Sequence, residues 1–378
     1  MTTIAPEKPA TTTPVRARGV LDIGPNGAGF LRAPDLLPTS HDVQVPAALV
    51  RRLALRKGDF VDGTCARPHT LTAVDTVDAL PADAARHRPR FADLTPLHPA
   101  ERLRMECPAG GLAGRVVDLF APVGKGQRGL VVAPPRTGKT VLLQQLAAAV
   151  AANHPEAHLM VVLVDERPEE VTDMRRSVRG EVFASTFDRP AKAHIALAEL
   201  AVARAQRMVE RGRDVVILLD SLTRLCRAHN NAAAAGGRTL SGGVDAGALQ
   251  GPKRLFGAAR NTEEAGSLTI LATALVETGS RADDFFFEEL KSTGNMELRL
   301  DRALADHRIH PAVDLDPSGT RREELLLTAE ETAAAHALRR ALGRRDDRSS
   351  YETLLERMRQ TPDNAAFLRQ VRSTVPGA

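Results

Sequence analysis

The stretch Ala133-Pro134-Pro135-Arg136-Thr137-Gly138-Lys139-Thr140 has the residue types and spacing of a phosphate-binding turn, G-x-x-x-x-G-K-[ST], with alanine at the first glycine position. Backbone N–H groups in such a turn, and at the start of the helix after it, converge on β- and γ-phosphates. The Lys139 ammonium adds charge beside them, and the Thr140 hydroxyl is placed to ligate Mg²⁺. The expected ligands are ATP and Mg²⁺, cradled by Pro135, Arg136, Thr137, Gly138, Lys139, Thr140 and Val141.

Two acids are expected at the same rim. The run LMVVLVDE ends in Asp165-Glu166 and the run DVVILLDS ends in Asp220. A carboxylate at the C-terminal end of a parallel strand lies where the phosphate turn also lies, so Glu166 is expected to polarise the attacking water. A solvent-exposed strand-end acid has the same signature, and the neighbouring turn favours the catalytic reading. Asp220 either holds Mg²⁺ through water or caps the following helix. Arg224, one turn on, either reads the γ-phosphate or pairs with Asp220.

The elements that must carry these residues are legible as apolar runs. GLVVA, HLMVVLVDE, EVFASTF, DVVILLDS, SLTILATALV and MELRLDR alternate with amphipathic stretches such as AKAHIALAELAVARAQRMVERG, predicting a largely parallel sheet covered on both faces. Two Gly-containing segments, 229–243 and 277–284, interrupt this order, and loops of that length inside an α/β domain are usually functional or disordered. Upstream, VLDI, GFLRA, DVQV, DFVDGTCA and LTAVDTV predict a small antiparallel barrel over residues 19–80. Residues 1–18 read as a flexible tail, 81–114 as a Pro/Ala/Arg-rich linker, and 115–378 as the α/β unit closing in small charged helices.

The 378 residues are 43% hydrophobic, enough to bury a full core, and the length suggests two or three domains. No apolar run approaches the ~20 residues of a membrane span. The first residues lack the apolar centre of a signal peptide, so a cytoplasmic protein with no membrane association is expected. The three cysteines are widely separated and show no metal-ligand spacing. With 51 Lys and Arg against 47 Asp and Glu, the chain is charge-rich rather than polybasic. It has no Trp, one Tyr and eleven Phe, few rings on which to stack single-stranded bases.

The segments DERPEEVTDM, GEVFASTFD, LLDSLTRLCRAHN, SGGVDAGAL, KRLFGAARN, GSLTILATAL, STGNMELRLDR and DPSGTRREELL together closely resemble the bacterial transcription termination factor Rho family. The resemblance runs from about Gly19 to the last helices and is densest over 115–330. It implies a RecA-like P-loop NTPase core joined to an OB/cold-shock-like N-terminal barrel. It further implies a homohexameric ring acting as an ATP-dependent RNA translocase and helicase that terminates transcription. Single-stranded nascent RNA, RNA polymerase and elongation factors are the implied partners.

Carried over by position, Lys139 and Thr140 sit at the phosphates and the metal, Glu166 is the catalytic base, and Asp220 is the Walker B acid. Arg167 and Arg224 line the same pocket, and Arg321 is the arginine finger supplied in trans. Nothing but the resemblance selects Arg321 from so many arginines. His310 stands where a phenylalanine usually stacks on adenine. Arg238 and Arg281, in the two interrupting segments, face the pore and grip RNA phosphates.

The barrel departs from the family pattern. Phe30 and Arg32 remain in GAGFLR, but Ala28, Gln44 and Leu71 stand at positions that usually carry aromatic rings. Arg51, Arg52, Arg56 and Lys57 keep the surface basic. That depletion raises an alternative: a divergent paralogue that binds RNA or transcription partners as a regulatory subunit and terminates weakly. A ring motor of the ATP-synthase type is disfavoured by the quoted motifs.

Overall fold

The computed structural model describes residues 15–67, 69–233, 239–342 and 347–374. The chain divides into two compact units, with the boundary between Arg88 and Pro89.

In the first unit, β1 (Val15–Ile23), β2 (Gly29–Arg32), β3 (Val43–Val45), β4 (Phe60–Arg67) and β5 (Thr70–Val77) run in the order β3-β2-β1-β4-β5, and β3 pairs with β5 to close a five-stranded barrel. Helix α1 (Ala47–Arg52) buries Leu49 and Val50 against it. The alternation in β2 is simple: Gly29 and Leu31 point inward, Phe30 outward. Closure brings backbones into contact at Gly63, where a Cβ would stand 2.2 Å from the Ala73 carbonyl oxygen. Strand β1 begins at Val15, inside the segment expected to be tail, because Arg16 is held by Asp62 at 2.8 Å and Asp75 at 2.5 Å. The remainder of that expected tail lies outside the described residues.

The unit also extends past residue 80. Ala82 and Ala85, in the helical turn Ala82–Ala85, belong to the barrel core.

In the second unit all six expected strands form: β6 (Arg128–Ala133), β7 (His158–Glu166), β8 (Glu181–Thr186), β9 (Val215–Asp220), β10 (Ser267–Leu275) and β11 (Met296–Leu300). They are parallel neighbours in the order β8-β7-β9-β10-β6-β11, and β12 (Val313–Thr320) adds antiparallel to β11. The interleaved helices are α2 (Gly111–Phe120), α3 (Lys139–Asn153), α4 (Pro168–Ser177), α5 (Ala191–Val209), α6 (Leu222–Ala232) and α7 (Arg281–Lys291). Because helices cover both faces, β9 is buried at every residue, which is why it reads as an unbroken apolar run.

The segment 89–114, expected as linker, is part of this unit. Phe91, Leu94, Leu103 and Met105 are buried, and the strand Pro96–Leu97 pairs with Arg260–Thr262 beside the main sheet. Asp118 accepts hydrogen bonds from the Met105 and Glu106 amides, fixing the stretch to α2. Only the Pro/Ala/Arg composition of residues 81–90 suggested a linker, and apolar residues beyond it recover their place in the core. At the other end, α8 (Ala329–Leu342), α9 (Asp347–Arg359) and α10 (Asn364–Thr374) pack Leu338, Tyr351, Met358, Phe367 and Val371 on the same core. Arg115 of α2 donates to Asn364 Oδ1 at 3.0 Å and to the Thr361 carbonyl at 2.8 Å, tying these helices down.

Candidate active site

The C-terminal ends of the parallel strands converge. Ala133 pairs with Leu275, and Leu163 with Asp220, so β6, β7, β9 and β10 end at one rim. Ala133 lies in regular strand, where the missing first glycine of the turn costs nothing. The turn then takes Arg136 to φ +67° and Gly138 to φ +88°, and the Thr137 hydroxyl donates to the Pro134 carbonyl at 2.8 Å. The left-handed φ at residue 138 is the reason for glycine there. Helix α3 starts at Lys139 with no side-chain cap and no acid in its first turn, so its leading amides remain for an oxyanion.

The structure brings together Lys139, Glu166, Asp220 and Arg224. The Lys139 ammonium donates to Asp220 Oδ1 and to Glu166 Oε1, the latter at 3.2 Å. Thr273 of β10, which the sequence did not single out, donates its hydroxyl to Asp220 Oδ1 at 2.7 Å. The strand also carries Ser267 and Thr269, so residue type alone does not single Thr273 out. Glu166 and Asp220 are 2% and 1% exposed, so neither is a solvated strand-end acid. Burial pushes the Glu166 carboxyl above the ordinary carboxylate range, and the cations Lys139 and Arg224 oppose that while Asp220 reinforces it.

Both questions left open by the sequence are answered by partners. The cap of α6 is the Ser221 hydroxyl, which accepts from the Arg224 amide at 3.2 Å, so Asp220 is free for another role. Arg224 pairs with Glu166 Oε2 at 3.3 Å rather than with Asp220, and also donates to the Asp165 carbonyl. Asp165 itself is a bulge residue: Val164 pairs with Ser185 and Glu166 with Thr186, leaving Asp165 extra at φ +59°.

His310 is exposed and helps line a cavity of about 510 Å³ with Arg136, Thr137, Gly138, Val141 and Gln145, adjoining the phosphate turn. Val141 is 56% exposed and Thr140 half-buried beside it. Arg167 is not drawn into the cluster: its side chain is 67% exposed and 3.8 Å from Glu170. Pro135 stands half-buried in the turn.

Arg321 lies at the other edge of the sheet. It follows Thr320, which pairs with Met296, and Met296 pairs with Gly129 at the start of β6. Four residues of strand, about 13 Å, separate that level from Ala133. Among the described residues its side chain has no ion-pair partner, and its charge with that of Arg260 adds to burial in holding the Arg128 guanidinium below its ordinary value.

Arg281 is exposed at the first residue of α7. The loop before it is anchored by Asp283, fully buried, which accepts from Arg227 Nε at 2.8 Å and from the Thr278 hydroxyl at 2.6 Å. Arg227 belongs to α6, the helix that carries Arg224. Arg238 lies outside the described residues.

On the barrel, Phe30 is 41% exposed and paired across strands with Gln44. Arg32 is not a free cation. Its guanidinium is held by Asp22 at 2.7 Å and Asp42 at 2.5 Å, with 13% of the side chain exposed, and it lies 5.4 Å from the Phe30 ring centre. Leu71 is 1% exposed and faces the core, off the surface that Phe30 occupies. Replacing Arg32 by alanine leaves Asp22 and the 4%-exposed Asp42 side chain without their shared cation. It is expected to cost the barrel about 2 to 4 kcal/mol, read as an earlier thermal transition.

Among the described residues there is no group of three His, Cys, Asp or Glu able to cage a metal, and no helix is long and apolar enough to cross a membrane. The donors at the rim, one hydroxyl and one carboxylate beside the phosphate turn, suit a hard cation that shares its remaining positions with phosphate oxygens.

Comparison with known proteins agrees in both units. A family model described as "ATP synthase alpha/beta family, nucleotide-binding domain" matches residues 113–320, and one described as "Rho termination factor, RNA-binding domain" matches residues 17–83. The chain is 72% identical over 360 residues to "Transcription termination factor Rho" of Streptomyces coelicolor, covering 95% of this chain and 86% of that one. The protein of the same name from Streptosporangium roseum is 60% identical over 94% of this chain and 92% of its own. That of Mycobacterium tuberculosis is 53% identical, and this chain spans 62% of its length. A solved ATPase from a bacterial type III secretion system matches at 20% identity with a TM-score of 0.64, over 82% of this chain and 93% of that one, a likeness of fold.

Fold and site therefore define a nucleotide-binding ATPase of the RecA-like class with an N-terminal OB-like barrel. Within that class, the chain belongs to the transcription termination factor Rho family.

Proposed function

We propose that the chain is an RNA-dependent ATP hydrolase that acts as a transcription termination factor, translocating single-stranded RNA through a homohexameric ring in the cytoplasm. The observation that carries this is the Lys139 ammonium bracketed by Glu166 and Asp220 at the strand ends. With MgATP bound, Lys139 moves from those carboxylates to the β- and γ-phosphates, and the amides at the start of α3 take the phosphate oxygens. Glu166 then accepts a proton from the water that attacks the γ-phosphorus, as the bond to the β-phosphate oxygen breaks. Thr140 and Asp220 would hold Mg²⁺, which neutralises charge on the phosphates as it shifts. His310 and Val141 flank the base, and Arg167 waits at the rim.

Arg321, too far from its own phosphate turn, serves the site of the neighbouring protomer. Arg281, and Arg238 with it, hold RNA phosphates and read no sequence. Phe30 offers a stacking platform, and Arg51 and Arg52 add backbone charge. RNA polymerase and elongation factors are the proposed partners in the cell.

The test is ATP turnover with no nucleic acid, with C-rich RNA, with U-rich RNA and with single-stranded DNA. RNA is expected to raise the rate severalfold. A well-assembled ring indifferent to RNA overturns the proposal. Because base stacking is worth about 1 to 3 kcal/mol, Phe30→Ala is expected to raise the RNA concentration for half-stimulation about 5- to 150-fold while leaving the maximal rate in place.

A further inference from the structure

The proposed hydrolysis makes no use of one buried polar group that faces the residue preceding the proposed base. His194, in the first turn of α5, is 5% exposed, and its Nδ1 lies 2.7 Å from the hydroxyl of Ser185, which is fully buried on β8. Its Nε2 lies 3.9 Å from Asp165 Oδ1. Burial holds this imidazole below its usual range, and the surrounding charges are Asp165, Arg189, Arg224 and Asp188. A neutral ring presenting a bare nitrogen to a carboxylate would be repelled, so the ring proton belongs on Nε2 and the Ser185 hydroxyl donates to Nδ1. The Nε2–H thus points at Asp165 across a gap about 1 Å longer than a hydrogen bond.

Asp165 is the extra residue of the bulge in β7, and a bulge re-aims the side chain that follows it. Here that side chain is Glu166. The bulge is held on its carbonyl by Arg224 and faced on its carboxylate by His194. We propose that His194 is a positioning residue for the hydrolytic reaction, acting through Asp165 to hold the bulge that aims Glu166 at the water. Ser185 fixes the ring tautomer that makes this contact. The inference rests on Glu166 being the base.

The experiment is RNA-stimulated turnover of the full chain, with kcat and KM for ATP measured separately and ring assembly checked by sedimentation. The variants are His194→Ala, His194→Gln, Asp165→Ala, the double variant His194→Ala/Asp165→Ala, and Glu166→Gln. His194→Ala is expected to lose tenfold or more in kcat with KM within twofold. His194→Gln, whose amide N–H reaches the place of Nε2, recovers most of that loss. The double variant falls no lower than the worse single one. Multiplying losses in the double variant, a glutamine variant as poor as the alanine one, or a raised KM with unchanged kcat would each overturn the inference. If His194→Ala fails to assemble, Asp165→Ala at its part-exposed position carries the test alone: unchanged kcat refutes the role. Wild-type turnover by Glu166→Gln would instead refute the base assignment, whereas an inactive Glu166→Gln beside fully active His194→Ala and Asp165→Ala refutes only the positioning role.

Discussion

Lys139→Ala is expected to lower ATP turnover at least 10²- to 10³-fold, the scale on which a single aimed donor acts at a developing charge. The ammonium is the cation shared by two almost fully buried carboxylates, Glu166 and Asp220. Arg224 reaches Glu166 but not Asp220, so it cannot replace the lysine at both. Without Lys139 the incoming triphosphate meets two acids and loses its counter-charge, so nucleotide affinity falls together with rate. Calorimetric titration with MgATP, paired with phosphate release, checks both. Retention of wild-type binding heat and turnover would remove Lys139 from the site.

Arg321→Ala is expected to cost 10³- to 10⁵-fold in turnover, the range seen for arginines that meet a phosphoryl group in flight. Its position on the far level of the sheet means that it cannot serve its own phosphate turn. The sharper expectation concerns mixtures. Neither Lys139→Ala nor Arg321→Ala turns over alone, but in mixed rings about one interface in four joins an intact lysine to an intact arginine. Activity then reappears on mixing, in proportion to those interfaces. Mixed rings, verified by differential tagging, that stay inactive would end the trans assignment.

The parts of this site that could be read from the sequence are those that local physics fixes. The apolar runs ending in Glu166 and Asp220 are buried on both faces, so their boundaries coincide with changes of residue type. The phosphate turn announces itself because the left-handed φ at 138 favours glycine and the Gly-Lys-Thr triplet follows a strand and opens a helix. What could not be read depends on distant partners. Arg32 looks like a free surface cation until Asp22 and Asp42 are folded against it. Leu71 looks like a vacant stacking position, and strand register turns it inward. The stretch beyond residue 90 reads as connector only because it follows the Pro/Ala/Arg run of 81–90, and its place in the core rests on distant acceptors: Glu210 for the Phe91 amide and Asp118 for that of Met105. The bulge at Asp165 leaves no trace in residue type at all.

Helix α6 carries Arg224 against Glu166 and, three residues on, Arg227 against the buried anchor of the Arg281 loop. Three residues of helix rise about 4.5 Å and do not bend. If Arg224 leaves Glu166 by movement of the helix rather than of its own side chain, Arg227 and the loop it ties move too, as a pawl carries its tooth. One helix thus ties the proposed hydrolytic site to the Arg281 loop, and a substitution along it is expected to be felt at both ends.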